Sequence, residues 1–220
     1  MAPALILMGI AFVLGLLAQS RVKSAFGQMS QIDARMSGQQ AARQMLHHAG
    51  LDDVGIEEIG GRLSDHYDPR SKVLRLSSDV FHGRSMAAVG VACHEAGHAL
   101  QDASSYGPLE IRNLAVPTAN FGSGVGMSLL ILGAILGMTG LIMLGAILFS
   151  AVIAFQLINL PVEFDASRRA RHALVSQGMI APNEERYVAK VLDAAAMTYV
   201  AGAVQSIITL IYYLMLSGDE

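Results

Sequence analysis

Three stretches of this chain, residues 1–20, 113–162 and 194–218, carry no charged side chain. About 20 helical residues rising about 1.5 Å each cross a hydrocarbon core about 30 Å thick, so each stretch is long enough to span a membrane. Charged residues make up 15% of the chain against about 25% in an average soluble domain, and the deficit is concentrated in these blocks. Within the middle block, the apolar run 121–160 would be about 60 Å long as a single helix, far more than the bilayer needs. It reads as a hairpin of two spans with its turn near 137–140, where Gly137-Met138-Thr139-Gly140 supplies paired helix breakers and a capping threonine. Four transmembrane helices result.

The first block lacks a basic leading segment, and Leu16-Leu17-Ala18 is not a small-x-small cleavage site, so it reads as an anchor rather than a signal peptide. All 15 Lys and Arg residues lie in two segments, 21–112 and 168–190. By the positive-inside rule both segments are expected on the cytoplasmic side of a multi-pass integral membrane protein. An even number of crossings must then separate them, which the hairpin supplies independently. The formal charge of −3, with bases interspersed among acids, gives no sign of nucleic-acid binding. The single cysteine, Cys93, excludes an internal disulfide.

The expected organisation is a first span over 1–20, a cytoplasmic segment over 21–120, the hairpin over 121–160, cytoplasmic helices over 161–193 and a last span over 194–216. In the first cytoplasmic segment Ser37 caps a short helix over 37–48 that Gly50 ends. Three short strands follow, at 54–59, 62–67 and 72–76, with Gly60-Gly61 and Asp68-Pro69 as punctuation. Ser85 caps a helix running from 86 to about 103. Pro161 reads as the first-turn residue of another helix, which stops at Gly178, and Pro182 starts one more. The fold class is therefore a mainly α membrane protein carrying a cytoplasmic α+β region.

The second capped helix contains His94-Glu95-Ala96-Gly97-His98. HExxH on a helix sets two imidazoles on one face about 5–6 Å apart, a separation that one tetrahedral zinc ion bridges. Glu95 then stands beside the open coordination position, where a carboxylate takes a proton from water. One Zn2+ per chain is expected, with a third protein ligand downstream. The metzincin pattern is excluded, because it requires Gly at 101 and His at 104 where this chain has Gln101 and Ser104. Candidates for the third ligand are Asp102, Glu110, Glu163, Asp165 and His172. Glu163 is the best placed, since it follows directly on a span that returns the chain to the side holding His94. Asp165 is a candidate to orient an imidazole, while His66, Tyr67, His82 and Arg168 are candidates to stabilise a developing oxyanion.

Taken together, HEAGH, the preceding DHYDP (65–69) and the later LPVEFDASRRA (160–170) resemble the YugP-type membrane zinc metallopeptidases of prokaryotic plasma membranes, over nearly the whole chain. The resemblance implies a zincin-like catalytic region, zinc held by His94, His98 and Glu163, and Glu95 as catalytic base. A more distant likeness is to gluzincins such as the HtpX proteases, whose second motif is Glu-x-x-x-Asp; four residues after Glu163 this chain has Ser167. The expected function is zinc-dependent endopeptidase activity on a protein or peptide substrate at the cytoplasmic face of the lipid bilayer, with an extended peptide able to pair with the strand at 72–76.

Two alternatives compete. One is an intramembrane, site-2-type zinc protease carrying HExxH on a span, against which the 86–100 stretch is short for a crossing. The other is a non-catalytic zinc-binding membrane protein, which would need a closed set of four ligands.

Overall fold

The computed structural model describes residues 2–218. In chain order the elements are α1 (Ala2–Met29), α2 (Gly38–His48), β1 (Gly55–Ile59), β2 (His66–Asp68), β3 (Val73–Ser77), α3 (Ser78–Phe81), α4 (Met86–Ala103), α5 (Gly107–Phe121), a π-helical turn (Gly122–Gly126), α6 (Met127–Leu136), α7 (Thr139–Ser176) and α8 (Glu185–Gly218). The protein is mostly helical with one small sheet. Two compact units form, one from Met1–Gln19, Glu110–Pro161 and Met197–Glu220, the other from Ser20–Leu109 and Val162–Ala196.

In the first unit the outward surface is apolar: Leu114 is 80% exposed, Ile135 74% and Ile147 66%. Such a surface is stable only against hydrocarbon or another protein. Among the described residues, four helical stretches are long and apolar enough to cross a membrane: Ile6–Met29, Gly107–Leu136, Thr139–Ser176 and Glu185–Gly218. The hairpin turns at Gly137, whose φ of 63° places it in the left-handed region that glycine adopts without a steric penalty.

Glycines also let the two arms of the hairpin touch. A Cβ at Gly122 would meet the Leu148 carbonyl at 2.4 Å, and one at Gly145 would meet the Leu130 amide at 2.7 Å. Small residues of this kind are how helices without a hydrophobic driving force pack closely in lipid. Leu130, Ile142, Ala146 and Phe149 fill the contact. The buried Asn159 accepts a hydrogen bond from Arg112 Nε at 3.2 Å.

The helices run further than charge patterning indicates. α1 continues past residue 20 to Met29, and α7 runs unbroken through Pro161, where the sequence reading places a helix start. The charged and polar residues that end the apolar runs are good helix formers, so they mark a change of surroundings without breaking the backbone ladder. Pro161 withholds its own N–H from that ladder and crowds the carbonyl four residues back, a cost that the long flanking helix absorbs.

The second unit is built on a conventional core. Ser37 caps α2 in a capping box with Gln40, and Gly50 at φ 70° ends it. Met45, Leu46, Leu74, Leu76, Met86, Leu174, Met179 and Leu192 are all at most 2% exposed, and burial of each contributes roughly 1.5–3 kcal/mol. Strand β3 alternates cleanly, with Leu74 and Leu76 inward and Arg75 half-buried on the other face.

The sheet order is β1-β3-β2, with β1 parallel and β2 antiparallel to β3. Two expectations change as a result. Residues 62–65 are loop rather than strand, with Leu63 at φ 55°. Moreover β3 is the central strand, its hydrogen bonds taken up on both sides, so it has no edge to offer a peptide; the open edges belong to β1 and β2.

Helix α4 lies against the residues that follow Pro161, and Gly97 makes the approach possible. A Cβ there would stand 2.7 Å from the Ala166 carbonyl oxygen and 3.2 Å from its Cα. Gly97→Ala is expected to destabilise the protein by about 1–3 kcal/mol through overpacking against this backbone. Thermal unfolding in detergent checks it, and an unchanged midpoint would mean that the two helices are not pressed together here.

Candidate metal centre

The side chain of Ser85 sets the start of α4 by accepting the Ala88 N–H at 3.2 Å. From there Ala88, Ala92, Cys93, Ala96 and Ala99 bury one side of the helix completely or nearly so. That fixes the rotation at which His94 and His98, one turn apart, leave the opposite side. Their rings are 4.9 Å apart between centroids and inclined at 81°. Two nearly perpendicular imidazoles aim their nitrogens at one point rather than stacking on each other.

Helix α7 brings Glu163 to that point. Its Oε2 lies 3.3 Å from His94 Nε2 and 3.8 Å from His98 Nε2. Ligands on a tetrahedral zinc ion at bond lengths of about 2.0–2.1 Å stand about 3.4 Å from one another. The three donor atoms, all within 4.8 Å of one another, therefore fit the ion's size without rearrangement of the backbone. Side-chain exposure is 13% for His94, 12% for His98 and 4% for Glu163, so the group is shielded but reachable.

The far nitrogen of each ring is held by a neutral partner. His94 Nδ1 lies 3.1 Å from Ser167 Oγ, and His98 Nδ1 lies 2.9 Å from Gln101 Oε1. Gln101 is fully buried and donates through Nε2 to the Val162 carbonyl at 2.8 Å and to Asp165 Oδ2 at 3.0 Å. Asp165 in turn accepts from Arg169 Nε at 2.6 Å and from Arg168. With both rings engaged at Nδ1, both present Nε2 to the centre, as metal-ligating histidines do when their other nitrogen is held by a hydrogen bond.

Glu95 is 9% exposed, and its Oε2 accepts the backbone N–H of Tyr67 at 3.1 Å. Strand β2 thus fixes the carboxylate. Burial pushes its pKa up to about 7, with Glu163 and Asp65 adding to the rise and the His94 charge opposing it. For His94, burial disfavours the charged ring, but the hydrogen bond and charge of Glu163, together with Glu95, hold the pKa above its ordinary value.

The structure brings together His94, His98 and Glu163 and leaves the other ligand candidates outside that group. Asp102 accepts the Tyr67 hydroxyl at 2.9 Å. His172 lines a separate cavity with Arg171 and Val175, and Glu110 sits on α5. Among the oxyanion candidates, His66 stands on β2 with its ring bonded to the Ser64 carbonyl, His82 pairs with Glu58 at 3.0 Å, and Arg168 is engaged with Asp165.

Gln101 and Ser167 are the two residues that sequence reasoning passes over as departures from other families' motifs. Helical spacing was the available signal, since Gln101 follows His98 by three residues and Ser167 follows Glu163 by four.

Residues 4–218 match a family model described as "Putative neutral zinc metallopeptidase". A relative from Bacillus subtilis (strain 168), named "Putative membrane protease YugP", is 50% identical over 201 residues, covering 90% of this chain and 89% of the relative. No solved structure matches the chain.

The raised Glu95 value carries a stability consequence in metal-free protein. The ordinary value is 4.5 and the folded value about 7, so the favourable contribution is fully present below about 4.5 and is lost as pH rises through about 7. Replacing Glu95 by Gln removes this dependence. The fall in unfolding midpoint between these pH values should be shallower in metal-free Glu95→Gln than in metal-free wild type; parallel curves would contradict the assigned burial.

Proposed function

This chain belongs to the neutral zinc metallopeptidase family of YugP-type membrane proteases, and we propose that it is a zinc-dependent endopeptidase in which His94, His98 and Glu163 hold the metal and Glu95 is the general base. The observation that carries the reading is the convergence of two Nε2 atoms and one carboxylate oxygen, with both Nδ1 atoms already engaged.

Zinc held by this donor set supplies Lewis acidity, which brings the pKa of water down to about 7 and polarises a carbonyl. Everything else is done by the chain itself. Two neutral imidazoles and one carboxylate leave the centre with a net positive charge, favourable to an oxyanion. Glu95 is next to His94 on the same helix and is held by Tyr67 N–H, so its free oxygen can accept a proton from water and pass it to the departing amine.

An extended peptide would add as a strand at the edge of β2, because β2 carries both His66 and the amide that orients Glu95. The site lies in the unit that holds every Lys and Arg except Arg112, which supports a cytoplasmic location. α4 is not among the helices long and apolar enough to cross a membrane, which weighs against cleavage within the bilayer. A three-donor set with an adjacent carboxylate is the pattern of an open catalytic site, whereas a structural zinc would be closed by four ligands.

Two substitutions test the assignment. Glu95→Gln is expected to retain zinc while peptide hydrolysis falls by about 100–10,000-fold, and Glu163→Ala is expected to lose the metal. Full turnover in the first variant removes Glu95 from the base role; normal metal content in the second removes Glu163 from the donor set.

Sidedness has its own test, which the buried Cys93 leaves clean. With a membrane-impermeant maleimide applied to intact cells, a cysteine introduced at the hairpin turn, Gly140→Cys, should label and one at the exposed Arg70 should not. The reverse pattern would place the site outside the cytoplasm.

A further inference from the structure

We propose that Ser167 and Gln101 are positioning residues that set the ring orientation of the two histidines, and in the case of Gln101 the tautomer as well, through hydrogen bonds from neutral side chains. The inference rests on the zinc reading above.

Gln101 settles its own orientation. The amide is fully buried, and its nitrogen faces two oxygens, Val162 O at 2.8 Å and Asp165 Oδ2 at 3.0 Å. An amide oxygen turned that way would set acceptor against acceptor twice, so the oxygen must face His98. An acceptor at 2.9 Å from Nδ1 requires a proton on Nδ1, which leaves the lone pair on Nε2. Gln101 therefore dictates a single tautomer of His98. The Asp165 carboxylate acts one residue removed, holding the amide rather than the ring, while Arg169 and Arg168 balance its charge.

Ser167 plays a looser part at His94. A hydroxyl can accept from Nδ1–H or donate to a bare Nδ1, so it holds the ring's direction at 3.1 Å without imposing a tautomer. It occupies the position four after Glu163, on the next turn of the same helix. That placement lets one helical segment supply both a metal donor and the brace behind another donor. A carboxylate at this position would add a negative charge behind His94 and make the ring a more basic ligand. The hydroxyl does not, so the centre keeps more positive charge at the cost of tighter metal binding.

The test is zinc affinity of the full-length purified protein, measured by competition with a chromophoric chelator, with thermal unfolding of the metal-free forms alongside. Ser167→Ala and Gln101→Ala are each expected to weaken zinc binding by about 10–100-fold. Ser167→Thr, which keeps the hydroxyl, restores it, and Ser167→Asp binds zinc more tightly than wild type. Metal-free Ser167→Ala unfolds at the wild-type temperature.

Wild-type affinity in both alanine variants overturns the proposal, as does a loss in Ser167→Ala that Ser167→Thr fails to restore. Failure of the underlying zinc reading looks different, because wild type itself would then bind no zinc. Should Gln101→Ala fail to fold, the three Ser167 variants decide the outcome.

Discussion

A carboxylate set between two imidazoles in a place nearly closed to water is the constraint around which the second unit is organised. Burial of three such groups is costly unless a partner compensates them. Glu163 is 4% exposed and faces two ring nitrogens that are themselves turned inward. In the absence of metal, His94 answers this by holding a proton more tightly than usual. A divalent cation would answer it better, since it would satisfy all three donors at once and leave neither ring charged. The rest of the local structure makes that convergence possible: a glycine lets α7 approach α4, an amide and a hydroxyl stop the rings from turning, and a strand holds the neighbouring glutamate.

Small residues do most of the geometric work in both units. Gly97 brings the backbone of residue 166 against α4, and the side chain of Glu163, three residues earlier, then reaches the histidines. In the membrane-type unit, Gly122, Gly126, Gly133 and Gly145 let the arms of the hairpin meet backbone to backbone. The physical reason differs between the two. A polar cluster needs the helices at hydrogen-bonding range, whereas helices in lipid have only packing and polar contacts to hold them together.

Much of this was legible in the sequence because it rests on local rules. Uncharged blocks of fixed length, Ser37 and Ser85 as caps, glycines at 50, 137 and 178 as stops, and two histidines four residues apart all state their structural consequence within one or two helical turns. What was not legible depends on tertiary contact. The passage of α7 through Pro161 reflects the strength of a long helix rather than the local preference of proline. Strand order was not legible, because β1 pairs with β3 across an intervening segment, which no alternation pattern reveals. Gln101 and Ser167 were visible only as mismatches to other families' motifs; that they face the rings depends on the rotation of α4 and α7 against each other.

The account stands or falls on what occupies the point between residues 94, 98 and 163. Zinc-edge X-ray absorption of the full chain, purified from membranes without chelator, addresses it directly. The account predicts one zinc per chain in a nitrogen and oxygen environment at about 2.0–2.1 Å, with scattering from two imidazoles and no sulfur. A sample free of metal, or a spectrum with sulfur at about 2.3 Å, would contradict it.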